Sequence, residues 1–197
     1  CNVGVVPVDG QLTTERSKDI IDSFTLAQAI RRLAAEEHAA MVLLIDSDGG
    51  TLPAAEEIRR AVDEVKLPVV AFVRGYALSG GYLVAASADY IVAQASASLG
   101  NIGVVSSYLE ETEHNKKEGY TLREIVTGTY KEVGHSAKVL TPEHQQYLQE
   151  FINDLFVVFA DAVRKDRTLS EEEFSAVADG KFYVASKAKE LKLIDEV

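Results

Sequence analysis

The stretch "GYALSGGYLVAASADY", residues 75–90, sets Ser79 directly before two glycines and a run of small and apolar residues. Upstream, "PVVAFV" (68–73) is an apolar run of strand length, and the small-residue run at 80–87 reads as a helix. The serine therefore falls where a strand hands over to a helix. Two roles suit it there. A serine can cap the helix, and Ser-Gly-Gly after a strand is a common turn. A nucleophile also fits, because glycines on its C-terminal side let a carbonyl approach the hydroxyl. Unpaired N–H groups at the start of a helix then face the incoming oxygen, and Gly80 N–H is the candidate oxyanion donor. Position 77 is Ala77, so the G-x-S-x-G elbow of the α/β-hydrolases is absent.

Outward from this point the chain alternates. "VGVVPV" (3–8) and "MVLLID" (41–46) read as strands, and so does "YIVAQ" (90–94). Phe24, Leu26, Ala29, Ile30 and Leu33 recur at helical spacing over 22–37, with Asp22 or Ser23 as N-cap. "PAAEEIRRAVDEV" (53–65) is an amphipathic helix with Pro53 near its first turn. Strand, helix, strand, helix, strand is the pattern of a largely parallel sheet, whose ligands sit beyond the carboxyl ends of the strands. "DGGT" reads as a turn. Gly49-Gly50 and Gly80-Gly81 both follow strands, so they are candidates for one shared site, with Gly49 as a second oxyanion donor or as simple chain reversal. Further on, 101–108 and 121–128 read as strands and 142–166 as a long helix with an apolar stripe. Ser170 and Glu173 form a capping box over a short helix at 170–178.

The chain's 197 residues suit a single domain over 1–197. A formal charge of −11 offers no basic face for nucleic acid or an anionic membrane. Cys1 is the one cysteine, so no intrachain disulfide forms. It is either a chance residue or a site of lipid modification. A strand starting at Val3 suggests that an N-terminal segment, with any membrane anchor, lies upstream.

A nucleophilic serine needs a base. None of His38, His114, His135 and His144 lies in a triad-like context. A lysine serves if burial lowers its pKa, as in serine–lysine variants of the triad. Most lysines here sit in charged runs. Lys131, in "TGTYKEVGHS", follows an expected strand and a glycine and has fewer charged neighbours.

"GYALSGGYLVAASADYIVA", then "LGNIGVV", then "TGTYKEVG" resembles the signal peptide peptidase A (protease IV) family of serine–lysine peptidases. "IDSDGG" resembles that family's Asn-Ser-Pro-Gly-Gly turn, and the closing "ADGKFYVASKAKELKLIDEV" its C-terminal segment. The resemblance implies an α/β, Clp/crotonase-like fold: a repeated β-β-α/βαβ sheet core with flanking helices and a C-terminal helical segment. It implies Ser79 as nucleophile, Lys131 as base, Gly49 and Gly80 at the oxyanion, and no metal or cofactor. It also implies apolar or signal-peptide-derived substrates and a ring-like homo-oligomer with active sites near subunit interfaces. Two positions depart from the family pattern. Asp48 replaces a proline, and Asn101 stands where a serine usually bonds the base; its amide carbonyl is an alternative acceptor for Lys131. The rival readings are a crotonase-like acyl-CoA enzyme, which would not need Ser79, and a non-catalytic oligomeric scaffold of the same fold.

Overall fold

The computed structural model describes residues 2–16 and 22–197; Cys1 lies outside the described residues. In chain order the elements are β1 (Val3–Leu12), α1 (Ser23–Ala34), β2 (Ala40–Gly50), α2 (Leu52–Asp63), β3 (Val69–Leu78), α3 (Gly80–Ala86), β4 (Tyr90–Ala93) and β5 (Ser98–Gly100). Then follow α4 (Thr112–Lys117), α5 (Pro142–Arg167), α6 (Glu171–Ser175), β6 (Phe182–Val184) and α7 (Ala185–Glu190). The chain divides into two compact units, Cys1–Gly103 with Val157–Val197, and Val104–Phe156.

The first unit holds a six-stranded sheet in the order β1-β2-β3-β5-β6, with β4 also paired to β3. All pairs are parallel except β5 with β6. Strand alternation decides which residues form the core. Val6, Val8, Met41, Leu43, Ile45, Val69, Ala71 and Val73 are buried on one face of the sheet. Leu26, Ile30, Ala54, Ile58, Leu83 and Val84 of α1, α2 and α3 are buried as well. On the other face, Val5, Val42, Val70 and Tyr90 form one cross-strand row and Pro7, Leu44, Phe72 and Val92 the next. Every residue of these two rows is half-buried or exposed.

Local signals place several boundaries. The Asp22 carboxylate accepts the Thr25 N–H at 2.9 Å and caps α1. Pro53 lies in the first turn of α2, and Ser170 with Glu173 forms the reciprocal box of α6. Arg59 makes a two-pronged bond to Asp166, at 2.8 and 2.7 Å, joining α2 to the end of α5.

Four expectations are corrected. "DGGT" is not a turn, because β2 stays extended through Gly50, pairing Gly49 with Gln11 and Gly50 with Leu12. Likewise β3 runs on through "RGYAL" to Leu78. The strand expected over 101–108 is instead Ser98–Gly100. It ends where Gly100 (φ 104°) and Asn101 (φ 53°) take left-handed conformations and turn the chain out of the sheet. Residues 121–128 form no strand, since that segment has no ladder partner, and Ile125 and Val126 are exposed.

Within the second unit, α4 and the part of α5 up to Phe156 are the regular elements. The Tyr130 hydroxyl donates to Glu143 at 2.6 Å, and its ring packs on His144 and Tyr147. No residue from 104 to 156 is buried. Among the described residues no helix is long and apolar enough to cross a membrane.

The C-terminal end of the first unit hangs on one carboxylate. Asp195 receives Ile91 N–H at 2.7 Å and the Arg167 guanidinium at 2.9 and 3.1 Å. Burial works against its charge, but those bonds outweigh it and hold the carboxyl below the usual carboxylate range. A depressed carboxylate stabilises the fold above its unfolded value, near ~3.9, and loses that contribution as pH falls through the folded value. Asp195→Asn is therefore expected to be less stable than the parent at neutral pH, with the difference shrinking in strong acid. Urea unfolding across a pH series measures this, and a pH-independent difference would contradict it.

Candidate active site

Ser79 lies between the end of β3 and the first turn of α3. Its backbone is left-handed, φ 51° and ψ −123°, which for a non-glycine costs on the order of 1–3 kcal/mol. Three bonds impose it. Ser79 N–H donates to the Gly100 carbonyl at 2.9 Å, and the Ser79 carbonyl accepts from Tyr82 and Leu83 N–H at 2.9 and 3.0 Å. The side chain makes no capping bond. The hydroxyl is therefore not used as a helix cap, which removes one of its two candidate roles.

The glycines around it are places where chain meets chain. A Cβ on Gly49 would lie 2.8 Å from the Leu78 carbonyl oxygen, 2.9 Å from Ser79 Cβ and 3.0 Å from Gly80 N. A Cβ on Gly80 would sit 3.1 Å from Ala55 Cβ and 3.5 Å from Gly50 N. The two Gly-Gly segments thus converge, as their positions after neighbouring strands imply. Gly80 opens α3, so its N–H has no carbonyl one turn back to bond.

Gly49 N–H, the expected second oxyanion donor, already has a partner in the fold. That N–H donates to Ser47 Oγ at 3.1 Å. Thr51 N–H donates to the Leu12 carbonyl at 2.9 Å, towards β1. Next to it, Gly50 nitrogen lies 3.5 Å from the position a Cβ on Gly80 would take.

Asn101 follows Gly100, whose carbonyl holds Ser79 N–H. Its own N–H donates to Lys181 O and its Nδ2 to Gly180 O, both at 2.7 Å. With Nδ2 engaged, Oδ1 is the acceptor left on this side chain. Asp48 is exposed. Tyr82, on α3, is fully buried and donates to Leu193 O at 2.8 Å, and burial pushes its hydroxyl pKa up. It braces the helix behind Ser79 and stays protonated.

Ser79, Gly80, Gly49 and Asn101 thus lie together in the first unit. Lys131 belongs to the second, next to the anchored Tyr130, and is exposed in the single chain. The first unit has one histidine, His38, beside Gly4 at the opposite end of β1 from Gly10. Its lysine closest in sequence to the bonds holding Asn101 is Lys181, whose ammonium is paired with Asp179 and held charged by it, which disqualifies it as a base. In the second unit Glu124, Glu132 and His135 bring ligand atoms within 4.8 Å of one another. However, Glu124 is paired with Lys138, and His135 Nδ1 accepts Ala137 N–H.

Residues 61–197 match peptidase family S49, and residues 12–109 match the ClpP-like SDH-type serine proteinases. A protein of Methanocaldococcus jannaschii named as a protease is 38% identical over 159 residues, 80% of this chain and 51% of the relative. The chloroplastic serine protease SPPA of Arabidopsis thaliana is 30% identical over 197 residues, 96% of this chain and 28% of that protein. The chain therefore spans about half of the first relative's length and less of the second. A mutant of the membrane-bound stomatin-specific protease 1510-N shares the fold, with a TM-score of 0.61 at 17% identity. That match covers 100% of this chain and 79% of the other. The mixed α/β architecture is thus ClpP-like, as the sequence motifs imply.

Gly81 gives a direct test of the packing behind Ser79. A Cβ there would approach the Ser47 carbonyl oxygen to 2.7 Å, and a backbone atom cannot swing aside. Gly81→Ala should destabilise the protein by about 1–3 kcal/mol, as overpacking does. An unchanged urea midpoint would show that α3 does not press on β2 as described.

Proposed function

The chain belongs to peptidase family S49, and we propose that it is the catalytic region of a serine endopeptidase built on Ser79 and Lys131. The observation that carries this reading is the hydroxyl of Ser79, held on strained backbone at the mouth of α3 and not used as a cap. Strain of this kind persists where the surroundings over-determine it, and it concentrates at functional sites.

In the proposed reaction neutral Lys131 takes the Ser79 proton as the oxygen attacks a peptide carbonyl. Gly80 N–H and Gly50 N–H receive the developing oxyanion. Gly49 contributes by leaving room. Lys131 then protonates the leaving amine and, neutral again, takes a proton from the water that attacks and releases the acyl group. Asn101 Oδ1 orients the neutral lysine without adding charge. No step calls for a metal.

Substrates are apolar peptides such as those derived from signal sequences. The working form is a homo-oligomer. Parallel sheets are normally covered on both faces, yet the rows from Val5 to Tyr90 and from Pro7 to Val92 are not fully covered. The second unit likewise exposes Val105, Leu109, Tyr120 and Ile125. Packing against further copies covers these surfaces and takes Lys131 out of water, which disfavours a charged group. Membrane association through a segment outside this sequence accords with the membrane-bound description of the stomatin-specific protease.

Two measurements test the dyad. A fluorophosphonate probe should label Ser79, located by mass spectrometry, and Lys131→Ala should lower hydrolysis of a fluorogenic apolar peptide by roughly 10²–10⁴-fold while leaving the protein folded. Labelling elsewhere, or activity within about tenfold of the parent, would sink the assignment.

Asn101 tests the surroundings of the base. A carboxylate within about 4–6 Å favours the ammonium and raises the lysine pKa. In a folded Asn101→Asp variant the rising limb of the pH–rate profile should therefore move to higher pH. An unmoved profile would separate Asn101 from Lys131.

A further inference from the structure

Ser47 is fully buried and polar, one residue before the exposed Asp48 and two before Gly49. Its Oγ donates to the Gly10 carbonyl at 2.6 Å and accepts from Gly49 N–H at 3.1 Å. These bonds sit at a break in the sheet. The β1–β2 register slips between the pairs Asp9–Asp46 and Gln11–Gly49, and the β2–β3 register slips between Ile45–Val73 and Ser47–Ala77. Where β2 carries an extra residue relative to β1, Gly49 N–H and Gly10 O are too far out of step to form a ladder bond. The hydroxyl fills that gap. It accepts the one and donates to the other, which among small side chains only a hydroxyl does.

The consequence reaches the nucleophile. Gly49 N–H is folded onto Ser47 and Thr51 N–H onto the Leu12 carbonyl, which leaves the N–H between them to serve the other side of β2. That N–H belongs to Gly50, whose nitrogen lies 3.5 Å from the position a Cβ on Gly80 would take. Gly81 closes the other side, since a Cβ there would come within 3.1 Å of Ser47 Cβ and 3.2 Å of its Oγ. We propose that Ser47 is a positioning residue: its hydroxyl clasps the break between β1 and β2 and so aims Gly50 N–H at the carbonyl that Ser79 attacks. Ser47 touches no substrate. Its effect on the reaction rests on the peptidase reading above, whereas the clasp itself does not.

The clasp is tested first on the unmodified protein, by amide hydrogen exchange resolved at residues 49 and 50 by NMR. Gly49 N–H should be protected and Gly50 N–H should exchange at least tenfold faster. The reverse order overturns the proposal and needs neither activity nor a variant. In Ser47→Ala, protection at Gly49 should fall by tenfold or more. The kcat for an apolar peptide should drop roughly 10- to 100-fold, short of the ~10²–10³ that removing an oxyanion donor outright costs, with KM within about twofold. Ser47→Thr, which keeps the hydroxyl, should recover part of the loss. Lost protection with an unchanged kcat would make Ser47 a structural clasp only and overturn its positioning role. A parent protein that hydrolyses nothing would refute the peptidase reading, while the exchange pattern would still decide the clasp.

Discussion

Two stretches of backbone, Gly49–Gly50 and Ser79–Gly80, meet with no room for a side chain on Gly49. Most of the first unit is arranged so that they can. β2 and β3 must run past their flat, regular portions and bend, which the register slips allow. The helix that follows Ser79 must press on β2, which Gly81 allows. The residue at the corner must accept a left-handed backbone, which the Gly100 carbonyl and the N–H groups of Tyr82 and Leu83 impose. Each of these is a small local cost, and together they hold the Ser79 hydroxyl beside the Gly49–Gly50 segment and the first turn of α3.

The alternation of strand and helix was legible because buried parallel strands are short apolar runs and their covering helices carry one apolar face. Caps were legible for the same local reason, with Asp22, Pro53 and Ser170 each acting within a few residues of itself. Pairing was not. "DGGT" read as a turn, and the strand at 68–73 stopped short of "RGYAL", because glycine weakens a strand in isolation. Their neighbours in space, β5 and the end of β1, supply the ladder that keeps them extended. The converse error fell at 121–128, where Leu122, Ile125 and Val126 have strand-forming character but no strand beside them.

The site divides along the same line. Ser79, Gly80 and the nearness of the Gly49–Gly50 segment were readable from glycines placed after neighbouring strands. That Gly49 N–H is taken up by Ser47 was not, because it depends on a hydroxyl two residues away filling a gap in the ladder. Lys131 was singled out by weak context and by family resemblance. Nothing in its own segment marks it physically: it is exposed in the single chain, and the strong local bonds belong to its neighbour Tyr130.

The strained backbone at Ser79 also bears on how such a sequence drifts. With φ at 51°, position 79 is one where glycine would relieve a steric penalty and cost the helix no capping bond, since the serine side chain makes none. Stability alone would therefore favour losing the hydroxyl. Under the proposal that Ser79 is the nucleophile, a serine there stands against the thermodynamic gradient, and a lineage released from the need for its chemistry should shed it early while keeping the fold intact. Glycine at this corner in an otherwise well-packed relative would mark the point at which that lineage stopped being an enzyme.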